Sequence, residues 1–111
     1  MCIRDRYYII SKLMKIIKEL IANYDIVLFM KGTLVMPRCQ FSAIAVNILQ
    51  ALEVDFEVFN VFDNEEVYDG IKKFSNWPTI PQLYVKGKFI GGSDIIKALY
   101  QNGELHKIVG K

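Results

Sequence analysis

The chain has 111 residues, 52% of them hydrophobic and 23% charged. That is one domain's worth of polypeptide, able to take about two-thirds of its surface out of water on folding, and the composition excludes a disordered chain. Fourteen basic against twelve acidic residues leave a net charge of +2, too even and too mixed a balance for a nucleic-acid footprint, and no apolar run approaches the roughly 20 residues of a membrane span.

The opening Met1-Cys2-Ile3-Arg4-Asp5-Arg6 reads like the translation of a transposon-end sequencing adapter. Residues 1–6 are therefore set apart from a folded domain over 11–110. From Ser11, the positions Leu13, Ile16, Ile17, Leu20 and Ile21 follow the i, i+3, i+4 spacing of an amphipathic helix that stops near Asn23. Ile26 to Met30 is a short, continuous, β-rich run, as in a strand covered on both faces. Lys31-Gly32-Thr33 opens a loop to Pro37-Arg38-Cys39, and a second helix follows with Phe41, Ile44, Ala45, Ile48, Leu49 and Leu52 on its inward stripe. Val54, Phe56 and Val58 alternate with Asp55 and Glu57 at the period of a strand.

Asn64 caps a third helix, with Glu65 and Glu66 in its first turn and Val67, Ile71 and Phe74 facing inward. The stretch Trp77 to Pro81 is neither regular helix nor central strand, because two prolines remove amide donors. Leu83-Tyr84-Val85, a Lys86-Gly87 turn and Lys88-Phe89-Ile90 form a hairpin. Gly91-Gly92 ends it, and Ser93 caps a helix bearing Ile95, Ile96 and Leu99. Gly103 separates a last helix through Leu105, Ile108 and Val109. The order predicts an α/β fold, a four-stranded mixed sheet with helices on both faces.

Leaving the adapter-like segment aside, Cys39 is the lone cysteine, as expected in a reducing compartment. It stands after a central strand, at the head of a helix whose free amides and positive dipole end favour a thiolate. Arg38 and Lys31 add positive charge nearby. A dithiol oxidoreductase needs a second cysteine three residues on, and Ser42 stands there. No intramolecular disulfide forms at such a site. Redox chemistry borrows its second thiol from another molecule, and a metal role borrows its other ligands.

Lys31-Gly32-Thr33, then Cys39-Gln40-Phe41-Ser42, then Trp77-Pro78-Thr79-Ile80-Pro81-Gln82-Leu83 and Gly91-Gly92-Ser93-Asp94, in this order, resemble the single-domain monothiol glutaredoxins that carry iron–sulfur clusters. The resemblance runs from Ile16 to Ile108. It implies a thioredoxin-like fold, a glutathione site, and a [2Fe-2S] cluster bridged between two subunits by two protein cysteines and two glutathione thiols. Carried over by position, it makes Cys39 the catalytic thiol and iron ligand and sets Lys31 beside the glycyl carboxylate of glutathione. It matches Thr79-Ile80-Pro81 to the family's cis-proline turn, whose Ile80 backbone pairs with the tripeptide. Gly92, Ser93 and Asp94 take the γ-glutamyl end, and Phe41 joins the binding residues. Two positions depart from the family pattern: Gln40 replaces a glycine, and Tyr68 replaces an arginine whose charge Lys72, one turn on, supplies.

The first expectation is thus a homodimeric carrier that hands clusters to acceptor proteins and pairs with BolA-like partners, without nucleic acid or membrane. It would sit in a cytoplasm, mitochondrial matrix or plastid stroma. The rival is a glutathione-dependent oxidoreductase that deglutathionylates proteins through Cys39 alone; a weaker third is a module that senses iron or redox state by losing its cluster. The five residues between Thr33 and Cys39 and the Trp77-Pro78 pair belong to the carrier subgroup, whereas Gln40 disturbs the motif tied to cluster binding. His106 and Trp77 are expected in structural roles.

Overall fold

The computed structural model describes residues 3–110, and within α1 it describes the side chains of Lys12 and of Met14 onward. Met1 and Cys2, part of the adapter-like segment, lie outside the described residues. The elements in chain order are α1 (Ile3–Asn23), β1 (Ile26–Met30), α2 (Gln40–Ala51), β2 (Glu57–Asn60), a 3-10 turn (Val61–Asp63), α3 (Glu65–Ser75), β3 (Gln82–Val85), β4 (Lys88–Gly91), α4 (Ser93–Gln101) and α5 (Glu104–Ile108). The four strands form one mixed sheet in the order β2-β1-β3-β4. β1 runs parallel to β2 and antiparallel to β3, which pairs antiparallel with β4.

β1 is buried along its whole length, and its alternation divides the core in two. Ile26, Leu28 and Met30 pack with Ala45, Val46 and Leu49 of α2, Ile96 of α4 and Leu105 of α5. Val27 and Phe29 face the other way, onto Ile17 and Ile21 of α1 and Val67 and Ile71 of α3. A strand reads as an unbroken apolar run only when both faces are covered, so Ile26–Met30 required helices on both sides.

Four local expectations are corrected. The strand foreseen across Val54–Val58 begins only at Glu57, because pairing with β1 runs from Val27 opposite Glu57 to Met30 opposite Asn60. Phe41 is 46% exposed and does not open the inward stripe of α2; Ser42, fully buried, takes that place. Ser93 is the first residue of α4, while Gly92 occupies the cap position without a side-chain bond. The chain turns out of β4 one residue earlier, at Gly91, whose φ is +151°. On α1, Ile16 faces outward and Ile17 and Ile21, one turn apart, carry the contact.

Candidate functional site

Strand direction gathers the motif residues at one end of the sheet. Met30, the last residue of β1, lies opposite Asn60, the last of β2. Gln82, the first of β3, pairs with Phe29, and Gly91, the last of β4, pairs with Leu83. The segments that begin at Lys31, end at Pro81 and begin at Gly92 therefore converge beyond the same rim.

The loop from Lys31 to Cys39 folds back on itself. The Arg38 amide donates to the Lys31 carbonyl at 2.8 Å, the Thr33 amide to the Met36 carbonyl at 3.1 Å, and Gly32 bridges to Pro37. Two side chains pin it from outside: Ser42 Oγ accepts the Lys31 amide at 3.1 Å, and Asn60 Oδ1 accepts the Gly32 amide at 3.0 Å. Cys39 is thereby set beside Lys31, half-buried and unbonded to another sulfur. It takes the N-cap position of α2 in an extended conformation, with no side-chain bond to the helix amides. The first amides of a helix have no partner within it, so the thiol stands at a ready-made anion site. Among the described residues, no group of three or more His, Cys, Asp or Glu side chains gathers within reach of a metal ion.

On the facing loop, the Ile80-Pro81 bond is cis, as the motif led one to expect. Ile80 and Pro81 are buried and Thr79 is exposed. Gly92 closes against this loop: a Cβ on it would lie 3.2 Å from Trp77 Nε1 and 3.3 Å from the Pro81 carbonyl. Ser93 is half-buried and Asp94 exposed in the first turn of α4. Exposed Phe41 and Gln40 follow the thiol directly.

The third side is built around Tyr68. Its ring stacks on Phe62 at 6.1 Å and 10°, with Lys72 Nζ 4.0 Å and Lys31 Nζ 5.8 Å from its centroid. Lys72 and Lys31, from different elements, so meet at one aromatic ring. A mostly apolar hollow of about 480 Å³ opens beside Phe62, lined by Gly32, Thr33, Met36, Arg38 and Asn60. Asn60 escaped notice in the sequence. An asparagine ending a strand is a cue to local side-chain capping, and its oxygen indeed accepts from Phe62 as well as Gly32.

The family model described as Glutaredoxin matches residues 26–90. The Synechocystis sp. protein named uncharacterized monothiol glutaredoxin ycf64-like is 50% identical over 84% of this chain and 87% of its own length. The chain belongs to the monothiol glutaredoxin family. It is also similar to monothiol glutaredoxin-5, mitochondrial, of Schizosaccharomyces pombe, at 48% identity over 84% of this chain and 66% of that protein. Among solved structures, that of reduced poplar apo GrxS14 matches with a TM-score of 0.78 and 43% identity, covering 88% of this chain and 90% of that one. Holo glutaredoxin C1 from Populus tremula x tremuloides reaches a TM-score of 0.84 at 20% identity, over 93% and 91% of the two chains; it attests the shared thioredoxin-like fold alone.

Within this monothiol glutaredoxin, the two residues expected in structural roles each pack on another ring. Trp77 packs on Phe89 at 5.9 Å, and His106 stacks on Tyr100 at 5.8 Å. No helix among the described residues is long and apolar enough to cross a membrane.

Proposed function

We propose that this glutaredoxin carries a glutathione-ligated [2Fe-2S] cluster and passes it to acceptor proteins. One observation carries the reading: a half-buried, unpaired cysteine at the head of α2, with the serine three residues on buried and its oxygen committed to the Lys31 amide. Such a site has one thiol to offer and no resolving partner behind it. A [2Fe-2S] cluster ordinarily takes four thiolates, so two chains supply two and two bound glutathiones supply the others. Half of the ligands then exchange freely, which suits the cluster as cargo.

The residues around the thiol suit glutathione. Lys31 and Lys72, converging at the Tyr68 ring, present ammonium groups to the glycyl carboxylate, so that Lys72 stands in for the family's arginine. The Ile80 backbone pairs with the tripeptide. Thr79 supports that loop, and Gly92, where a Cβ would be tight against Trp77 and Pro81, lets the backbone of Ser93 and the Asp94 carboxylate come up to the γ-glutamyl end. Exposed Phe41 lies beside the thiol at the subunit junction, where a second copy or a BolA-like protein docks. A reducing compartment, whether bacterial cytosol, mitochondrial matrix or plastid stroma, keeps the thiol free.

The test is anaerobic reconstitution with iron, sulfide and glutathione, followed by visible absorbance and size-exclusion chromatography. A coloured dimer is expected, bleaching to a colourless monomer when glutathione is removed, and Cys39→Ser stays colourless throughout. Exposed Gln40, next to the thiol, favours one other reading, because it disturbs the motif tied to cluster binding. In that reading Cys39 attacks the glutathione sulfur of a protein mixed disulfide, releases the protein thiol, and is freed by a second glutathione as glutathione disulfide. A colourless monomer that still deglutathionylates proteins decides for the enzyme.

A further inference from the structure

Gln82 opens β3 and is fully buried. A carboxamide costs free energy in such a place unless its polar atoms are satisfied, and here they are. Nε2 donates to the carbonyls of Trp77 and Thr79, each at 3.2 Å, and Oε1 accepts the Tyr84 hydroxyl at 3.2 Å. An aliphatic side chain of similar volume would fill the space without that requirement, so the bonds themselves are what this residue contributes.

They go to a segment that cannot hold itself. Pro78 and Pro81 lack amide donors, and residues 77–81 belong to no helix or strand. The Thr79–Ile80 peptide is trans, since Ile80-Pro81 is the sole cis bond among the described residues. In a trans peptide the carbonyl and the following N–H lie in one rigid plane and point in opposite directions. With the Thr79 oxygen turned inward onto Gln82, the Ile80 amide is aimed away from the core, toward the rim where the motif residues converge. We propose that Gln82 is a positioning residue of the glutathione site, aiming the Ile80 amide through the carbonyls of Trp77 and Thr79, with Tyr84 fixing which way the carboxamide faces. The inference rests on the reading of this rim as that site. A flipped carboxamide would set Oε1 against two carbonyls, and the Tyr84 hydroxyl, donating to Oε1, opposes that flip. Burial pushes the phenol up to about 12 against an opposing hydrogen bond from Ser75, so it remains a donor across the neutral range.

Glutathione dissociation constants by NMR titration, with amide exchange at Ile80, test this on wild type, Gln82→Leu, Tyr84→Phe and the double variant. Gln82→Leu weakens binding about tenfold, the equivalent of one lost buried hydrogen bond, and in the presence of glutathione speeds exchange at Ile80, whose amide the tripeptide covers. Tyr84→Phe weakens it about threefold by the same reasoning. Because Tyr84 acts through Gln82, the double variant binds no worse than Gln82→Leu alone. Leu105→Ala, a core truncation on α5, lowers the melting temperature and leaves affinity unchanged. Gln82→Leu binding within about twofold of wild type, a double loss equal to the product of the single ones, or an equal loss in Leu105→Ala overturns the proposal. Should Gln82→Leu fail to fold, Tyr84→Phe binding as wild type overturns it alone. A wild-type chain that ignores glutathione refutes the site itself, an outcome distinct from a wild type that binds and a Gln82→Leu variant that binds equally.

Discussion

Gly32 stands where no side chain fits. Its φ is +96°, and a Cβ there would lie 2.5 Å from the Met36 carbonyl oxygen and 2.6 Å from the Arg38 amide nitrogen. Both are backbone atoms of the loop that delivers Cys39, so relief requires opening that loop. Gly32→Ala combines a left-handed backbone penalty with overpacking and is expected to cost about 2–4 kcal/mol. Urea denaturation measures the loss, and a shift of the Cys39 resonances in the folded fraction shows that the loop has moved; a midpoint unchanged from wild type would mean that the close approach to Met36 and Arg38 is absent. Gly92 is a milder case: its φ is −90°, and its near neighbours include the tip of the Trp77 indole, which has some freedom to yield.

At the level of elements, α3 is held at its start by Asn64, whose side-chain oxygen accepts the amides of Glu66 and Val67 at 3.0 and 3.2 Å. Asn64→Ala leaves both donors to water and should cost about 1 kcal/mol. Equilibrium denaturation reads that cost as a lowered urea midpoint, and an unchanged midpoint would mean that the Asn64 side chain does not hold these amides. This cap was legible in the sequence, as were β1, α2, α3 and the hairpin, because each is announced by local chemistry: an apolar run, a helical stripe, a cap, a Lys-Gly turn. The start of β2 was not, since its register comes from a partner strand distant in sequence, and alternation alone fixes no pairing. Nor was the exchange of Phe41 for Ser42 on the buried face of α2. Pattern reading puts the phenylalanine inside, whereas the fold buries the serine hydroxyl because the Lys31 amide needs an acceptor there. The site shows the same division. Lys31, Cys39, the Thr79–Pro81 turn and Gly92 stood out as motifs, and Gln82 stood out only as a member of one, its role set by bonds to the loop just before it; Asn60, which holds the loop before Cys39, became visible only through its long-range bond to the Gly32 amide.

For the molecule as a whole, the site and one half of the core share a residue. Tyr84 is 2% exposed and sits among Phe29 at 5.6 Å, Phe74 at 6.2 Å and Phe89 at 5.4 Å, with its hydroxyl on Gln82. Desolvation raises its pKa from 10.0 to about 12. The native phenol therefore holds its proton where the unfolded chain has begun to lose it. Its stabilising effect is complete below pH 10, where both states are protonated, and is lost as pH rises from there through the native value. Across that window the loss amounts to about 2–3 kcal/mol. The effect is isolated by difference against a variant that lacks this phenol. Urea midpoints of wild type and Tyr84→Phe are compared at pH 9 and pH 12. Wild type should lose the larger share of its stability, because the variant has no buried phenol to ionise; parallel declines would mean that Tyr84 is hydrated in the native state, and the aromatic packing around it would have to be looser than these distances allow.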